Sequence, residues 1–198
     1  MKQALKTGVR GMALPIGRGL SRIGLTANGI TFLGLVFAVV SAWGFWQSDR
    51  GLAFGGLVLS GLADLLDGAV ARANGGQGTK FGAAFDSSLD RYGEGLVFGG
   101  ILLGLVERLA DPWLLVLAVL AGMGSFMVSY VRARAEGLGV SCEVGMLERP
   151  ERVILLLVLA AWGAAGSLWI LGLLAVLSHV TFIHRLLHIQ RQTRNAPL

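Results

Sequence analysis

The chain alternates long apolar runs with short polar breaks. The runs cover about Gly29–Trp46, Leu52–Val70, Ala83–Val106, Trp113–Val131, Val153–Ala165 and Leu168–Ile183. Several are long enough to cross ~30 Å of hydrocarbon as helices. The fifth reaches that length only if its helix starts near Pro150, a residue suited to a first helical turn. The breaks "QSDRG", "ERLADP" and "GAAGS" are short and fall on one side. The other side receives the N-terminal segment, the Arg72–Lys80 hinge, the Arg132–Arg152 connection and the C-terminal tail. The pattern predicts an all-α integral membrane protein with six transmembrane helices. Residues 1–25 form a juxtamembrane amphipathic segment, residues 26–190 the six-helix domain, and residues 191–198 a tail.

Composition agrees with that reading. Of 198 residues, 54% are hydrophobic and only 15% are charged, against roughly a quarter charged in soluble domains. The net charge of +5 does not imply nucleic acid, because the cations lie at the ends of apolar runs. Arg50 and Arg108 lie on the first side; the rest of the 17 lysines and arginines lie on or near the second. The positive-inside rule then puts both termini and the second side in the cytoplasm, for a multi-pass protein of the cell membrane. Lys2, Lys6, Arg10, Arg18 and Arg22 precede the first run. Pro15 and several glycines intervene, which does not resemble a cleavable signal. The single cysteine, Cys142, rules out an intrachain disulfide and is given no role. His179, His184 and His188 read as interfacial residues. Gly51/Gly55, Gly95/Gly99 and Gly100/Gly104 have the spacing that lets helices approach closely.

Against this apolar background, "DLLDGAVARANGGQGTKFGAAFDSSLD" carries four aspartates. Asp64 and Asp67 are i and i+3, and Asp86 and Asp90 are i and i+4, so each pair shares a helix face. Gly75, Gly76 and Gly78 allow a tight turn between the two helices. The pairs can therefore face each other. Four carboxylates so close need compensation. Arg72, Lys80 and Arg91 could neutralise them, or the carboxylates could share protons as in a transporter relay. The best option is divalent metal, because oxygen-only ligands favour Mg2+, Mn2+ or Ca2+ over zinc. Gly68 and Gly82 leave room for a ligand, and Arg72 supplies a cation where a pyrophosphate would lie.

A second polar stretch, "SYVRARAEGLGVSCEVGMLERPER", holds Arg132, Arg134, Arg149 and Arg152. Four arginines around one loop suit a phosphorylated ligand. Lipid headgroup contact, or pairing with Glu136, Glu148 and Glu151, is the alternative.

The pattern Asp-x2-Asp-Gly-x2-Ala-Arg followed by Gly-x3-Asp-x3-Asp resembles the signature of the CDP-alcohol phosphotransferases. It reads here Asp64, Asp67, Gly68, Ala71, Arg72, Gly82, Asp86 and Asp90. The nine residues between Arg72 and Gly82 are one more than many members carry, and the extra one falls in the glycine-rich hinge. The resemblance implies that Asp64, Asp67 and Asp86 ligate two metal ions, usually Mg2+ with Mn2+ as an alternative. Asp90 also touches metal and acts as general base. It implies a CDP-donor site of Gly68, Ala71, Arg72, Thr79 and Gly82, with Asn28 and Thr31 from "TANGIT". "ARAE" and "ERPER" resemble the phosphatidylinositol phosphate synthases of actinobacteria. That likeness implies transfer of a phosphatidyl group from CDP-diacylglycerol to inositol 1-phosphate, by a homodimer. Arg132, Arg134, Arg149, Arg152 and Arg185 would bind the acceptor phosphate. CDP-inositol as donor, glycerol 3-phosphate as acceptor, an ion or proton transporter, and a catalytically silent scaffold stand as alternatives.

Overall fold

The computed structural model describes residues 13–73 and 78–194. The first 12 residues, hinge residues 74–77 and tail residues 195–198 lie outside the described part. So do the expectations placed on them. The described residues are mainly helical, with no strands among them. A helix over 13–22 (α1) is followed by α2 (Ala27–Gln47), α3 (Arg50–Ala73), α4 (Lys80–Glu107), α5 (Pro112–Gly137), α6 (Arg149–Trp162) and α7 (Ser167–Thr193). A single 3-10 turn, Gly163–Gly166, joins the last two. Every predicted apolar run is thus a helix.

Local chemistry sets the boundaries. Thr26 caps α2 by accepting from the Gly29 N–H at 3.1 Å, and Thr79 caps α4 by accepting from Gly82 N–H at 2.9 Å. Asp111 caps α5, accepting from Trp113 N–H at 2.9 Å, with Pro112 in the first turn. Gly163 ends α6 at φ +69°, a conformation that favours glycine.

Among the described residues, four stretches are long and apolar enough to cross a membrane: α2, α3, α5 and the run Arg149–Thr193 that holds α6 and α7. The difference from the six expected spans has two physical causes. α4 has 28 residues, but Asp86, Asp90, Arg91 and Glu94 crowd its N-terminal part. α6 has 14 residues and rises only ~21 Å by itself. Large apolar side chains such as Phe32, Val36, Trp43, Met123, Trp169 and Val176 stand exposed around the bundle. Such a surface suits lipid rather than water.

α2 packs closely on α3 and α4, and α5 on α7. The core is built from Leu57, Val97, Phe98, Leu156, Leu171 and Leu174, with alanines between them. Gly56 lets α3 touch α2: a Cβ there would lie 2.6 Å from Ser41 N. Ser41 Oγ donates to Ala53 O at 2.9 Å across the same contact. The expected small-residue pairs divide. Gly100 and Gly104 meet α2 backbone at Ala42 and Phe45, whereas Gly55, Gly95 and Gly99 meet nothing described within 4 Å. Gly56→Val is therefore expected to destabilise the bundle by about 1–3 kcal/mol through overpacking. Gly55→Ala should leave it nearly unchanged. Thermal unfolding in detergent, read by tryptophan fluorescence, compares the two.

Candidate active site

The site forms where α3 ends and α4 begins. Helical periodicity turns Asp64 and Asp67 of α3 toward Asp86 of α4. One carboxylate oxygen from each of these three lies within 4.8 Å of the others. Asp67 is buried, and Thr31 Oγ1 of α2 donates to its Oδ2 at 2.7 Å. Asp86 Oδ1 is buried with no hydrogen-bond partner among the described residues. A buried, unpartnered carboxylate oxygen in a group of three is costly unless a cation completes it. This hard, all-oxygen donor set fits a divalent cation of the Mg2+ or Mn2+ type. Asp90, one turn further along α4, stands apart from the three and faces the adjoining cavity.

The expected donor-site residues gather around the same helix ends. Because Thr26 provides the cap of α2, Asn28 is free to reach toward α4. Its Oδ1 lies 3.3 Å from where a Gly82 Cβ would be, and Thr79 Oγ1 lies at 3.1 Å. Arg72 folds back over Gly68, whose Cβ would come within 3.2 Å of Arg72 Nη1. Thr79 is thus a helix cap and Gly82 a clearance between α2 and α4. Ala71 lies half-buried on the turn between Gly68 and Arg72.

A cavity of about 820 Å³ opens beside the aspartates and is lined by Asp64, Asp86 and Asp90 together with Arg132, Arg149, Arg152 and Arg185. The two polar stretches of the sequence therefore share one chamber. Their arginines are not equivalent. Arg149 reaches from the start of α6 to both helices of the aspartate motif. Its Nη1 bonds Asp64 Oδ1 at 2.6 Å and its Nη2 pairs with Asp90 Oδ1 at 2.6 Å. Arg152 is buried and held by Glu94, at 2.8 and 3.1 Å, and by Ser129 Oγ at 3.0 Å. Arg185, also buried, donates to the Val144 carbonyl at 2.8 Å and the Val128 carbonyl at 2.6 Å. Arg132 pairs with Glu136 at 2.9 Å and keeps much of its side chain exposed. Arg134 is not among the lining residues. Two residues beyond Arg132, it points ~200° around the helix and sits in the last turn of α5, a favourable place for a cation.

Sequence reasoning missed three contributors. Glu94 and Ser129 hold Arg152, and the only signal for Glu94 was its position one turn after Asp90. Gly17 of α1 packs on Ala69, one residue past Gly68. A Cβ at Gly17 would lie 2.6 Å from the Ala69 carbonyl carbon. α1 therefore lies directly against the aspartate helix.

Comparison with known proteins places the chain in a family. The family model described as CDP-alcohol phosphatidyltransferase matches residues 24–183. The phosphatidylinositol phosphate synthase of Mycobacterium tuberculosis is 38% identical over 181 residues, covering 87% of this chain and 82% of its own. The archaetidylinositol phosphate synthase of Methanothermobacter thermautotrophicus is 36% identical over 177 residues, covering 87% of both chains. Among solved structures, the M. tuberculosis phosphatidylinositol phosphate synthase with CDP-DAG bound superposes with a TM-score of 0.82 at 35% identity, covering 90% of this chain and 93% of that one. The same enzyme in complex with manganese and citrate gives a TM-score of 0.82 at 36% identity, covering 89% and 88%. With the eight-position aspartate motif intact and the match running over nearly the whole chain, this protein belongs to the CDP-alcohol phosphatidyltransferase family.

Proposed function

We propose that the chain transfers a phosphatidyl group from CDP-diacylglycerol to inositol 1-phosphate, releasing CMP. The observation that carries this reading is the single cavity in which Asp64, Asp86 and Asp90 face Arg132 and Arg149. Family membership makes the chain a transferase and removes the support for a transporter. The two relatives named above differ in the lipid their names specify and agree in inositol phosphate. The acceptor is therefore better supported than the donor's chains.

Asp64, Asp67 and Asp86, with Asp90 alongside, would hold the divalent cations, read here as two Mg2+ ions. The manganese complex of the M. tuberculosis enzyme supports divalent binding. When bound, the metal supplies Lewis-acid stabilisation of charge on the phosphate oxygens. Thr31 fixes the Asp67 carboxylate for that task. Asn28, Gly68, Ala71, Arg72, Thr79 and Gly82 form the donor side, where the clearances at Gly68 and Gly82 admit the nucleotide. Arg72 lies over the open backbone there as a counter-charge for phosphate. Asp90 takes the proton of an inositol hydroxyl. That oxygen forms a bond to the β-phosphorus of the donor as the bond to the CMP oxygen breaks. Arg132 and Arg149 face the acceptor phosphate. Arg152 and Arg185, satisfied by protein partners, fix the chamber's wall.

Six spans within residues 26–190, both termini and the site facing the cytoplasm, and a homodimeric assembly complete the proposal. The skewed placement of the lysines and arginines supports the orientation. Family resemblance supports the dimer.

The test is a panel of acceptors given to the purified protein with radiolabelled CDP-diacylglycerol. Inositol 1-phosphate should yield lipid product; product with glycerol 3-phosphate alone would refute the acceptor assignment. Arg132→Gln should raise the acceptor KM roughly tenfold, the scale of one charge-assisted hydrogen bond, with the donor KM unchanged. Arg134→Gln should leave both KM values within about twofold.

A further inference from the structure

Arg149 occupies an unusual position for an acceptor-binding residue. Its guanidinium bridges Asp64, one of the three clustered carboxylates, and Asp90, which lies outside that cluster, at 2.6 Å each. The Asp64 arm of the bridge joins two residues 85 positions apart in sequence. Arg149 is the first residue of α6 and Pro150 follows it, so the helix start is fixed and the long side chain is the part free to swing. The planar fork suits two carboxylates at once, which a lysine ammonium cannot match.

A guanidinium on Asp64 and a divalent ion held by Asp64, Asp67 and Asp86 are like charges a few ångströms apart. They repel strongly in a partly buried site. We propose that Arg149 is a displaceable counter-cation. It compensates the aspartates when no ion is present, and it leaves Asp64 when an ion is held. The freed half of the fork then turns toward the chamber it shares with Arg132, where a phosphate monoanion or dianion would lie. Metal and acceptor phosphate become coupled through one side chain. By linkage, each tightens the other by the same factor. This inference rests on the metal reading of the aspartates given above.

The experiment is Mn2+ binding to the metal-stripped, detergent-solubilised full chain, measured by electron paramagnetic resonance of free Mn2+ with and without inorganic phosphate. Arg149→Gln should bind Mn2+ roughly fivefold tighter than the parent, the scale of one lost partly exposed ion pair. Arg91→Gln is the control for a general field effect. Arg91 approaches Asp90 only to 4.0 Å and no contact with Asp64 is found among the described residues, so its effect should be clearly smaller. Phosphate should tighten Mn2+ in the parent and in Arg91→Gln but not in Arg149→Gln. Arg149→Lys, which keeps the charge and loses the fork, should also lose the phosphate effect, and it serves where the glutamine variant does not fold. Equal Mn2+ affinity in the parent and Arg149→Gln, or equal tightening in Arg91→Gln, would overturn the proposal. A parent chain that binds no Mn2+ would overturn the metal reading beneath it, a distinguishable result.

Discussion

Replacing Asp90 with Asn should lower CMP release by a factor on the order of 10³, within the range that general-base catalysis contributes, while CDP-diacylglycerol binding stays within about threefold. Asp90 stands outside the three-carboxylate group and its carboxylate faces the cavity shared with Arg149. Asparagine has nearly the same shape, so packing survives while the proton acceptor and the charge facing Arg149 are lost. Donor binding, measured by stabilisation against heat with CDP-diacylglycerol present, separates this loss from a folding defect. Turnover near the parent level would show that another group takes the proton.

Asp86→Asn should produce the second large loss, at least about a hundredfold in divalent-cation affinity and a matching loss of turnover. Losing an outer-shell partner of a metal site costs roughly 10- to 100-fold, and a ligand should cost no less. The substitution exchanges an anionic oxygen donor for a neutral amide at a residue with a buried carboxylate oxygen that has no hydrogen-bond partner among the described residues. The metal-free variant carries a further expectation of opposite sign. Removing one of three clustered negative charges relieves repulsion, so the unloaded protein should be as stable as the parent or more so. A residue needed only for folding would lower stability with and without metal. Isothermal titration with Mn2+ and thermal unfolding in chelator together make the distinction.

Much of this was legible in the chain. Each apolar run became a helix, because a lipid-facing helix satisfies its own backbone and asks only for apolar side chains. The aspartates were legible because their spacing is set by helical geometry within two adjacent helices. What was not legible depends on contacts between distant segments. Nothing in "ERPER" reveals that Arg149 would meet Asp64 and Asp90 while Arg152, three residues on, would be buried against Glu94. Nor does the sequence reveal which glycines mark helix contacts. Gly100 and Gly95 have equivalent spacing patterns, yet only Gly100 meets a neighbour. The placement of Arg134 was recoverable in principle: grouping it with Arg132 followed sequence proximity, and helical register separates them. The span count differed at α4 because Asp86, Asp90, Arg91 and Glu94 make the N-terminal part of that helix polar.

The proposed divalent-cation site for phosphatidyl transfer to inositol 1-phosphate makes CMP release depend on both the ion and the acceptor. The most direct measurement is CMP release by the purified chain in mixed micelles of CDP-diacylglycerol, with the acceptor present or absent and with Mg2+ or chelator. CMP release is expected only when both acceptor and divalent ion are present. Release that persists undiminished in chelator, or that does not depend on inositol 1-phosphate, would contradict the proposal.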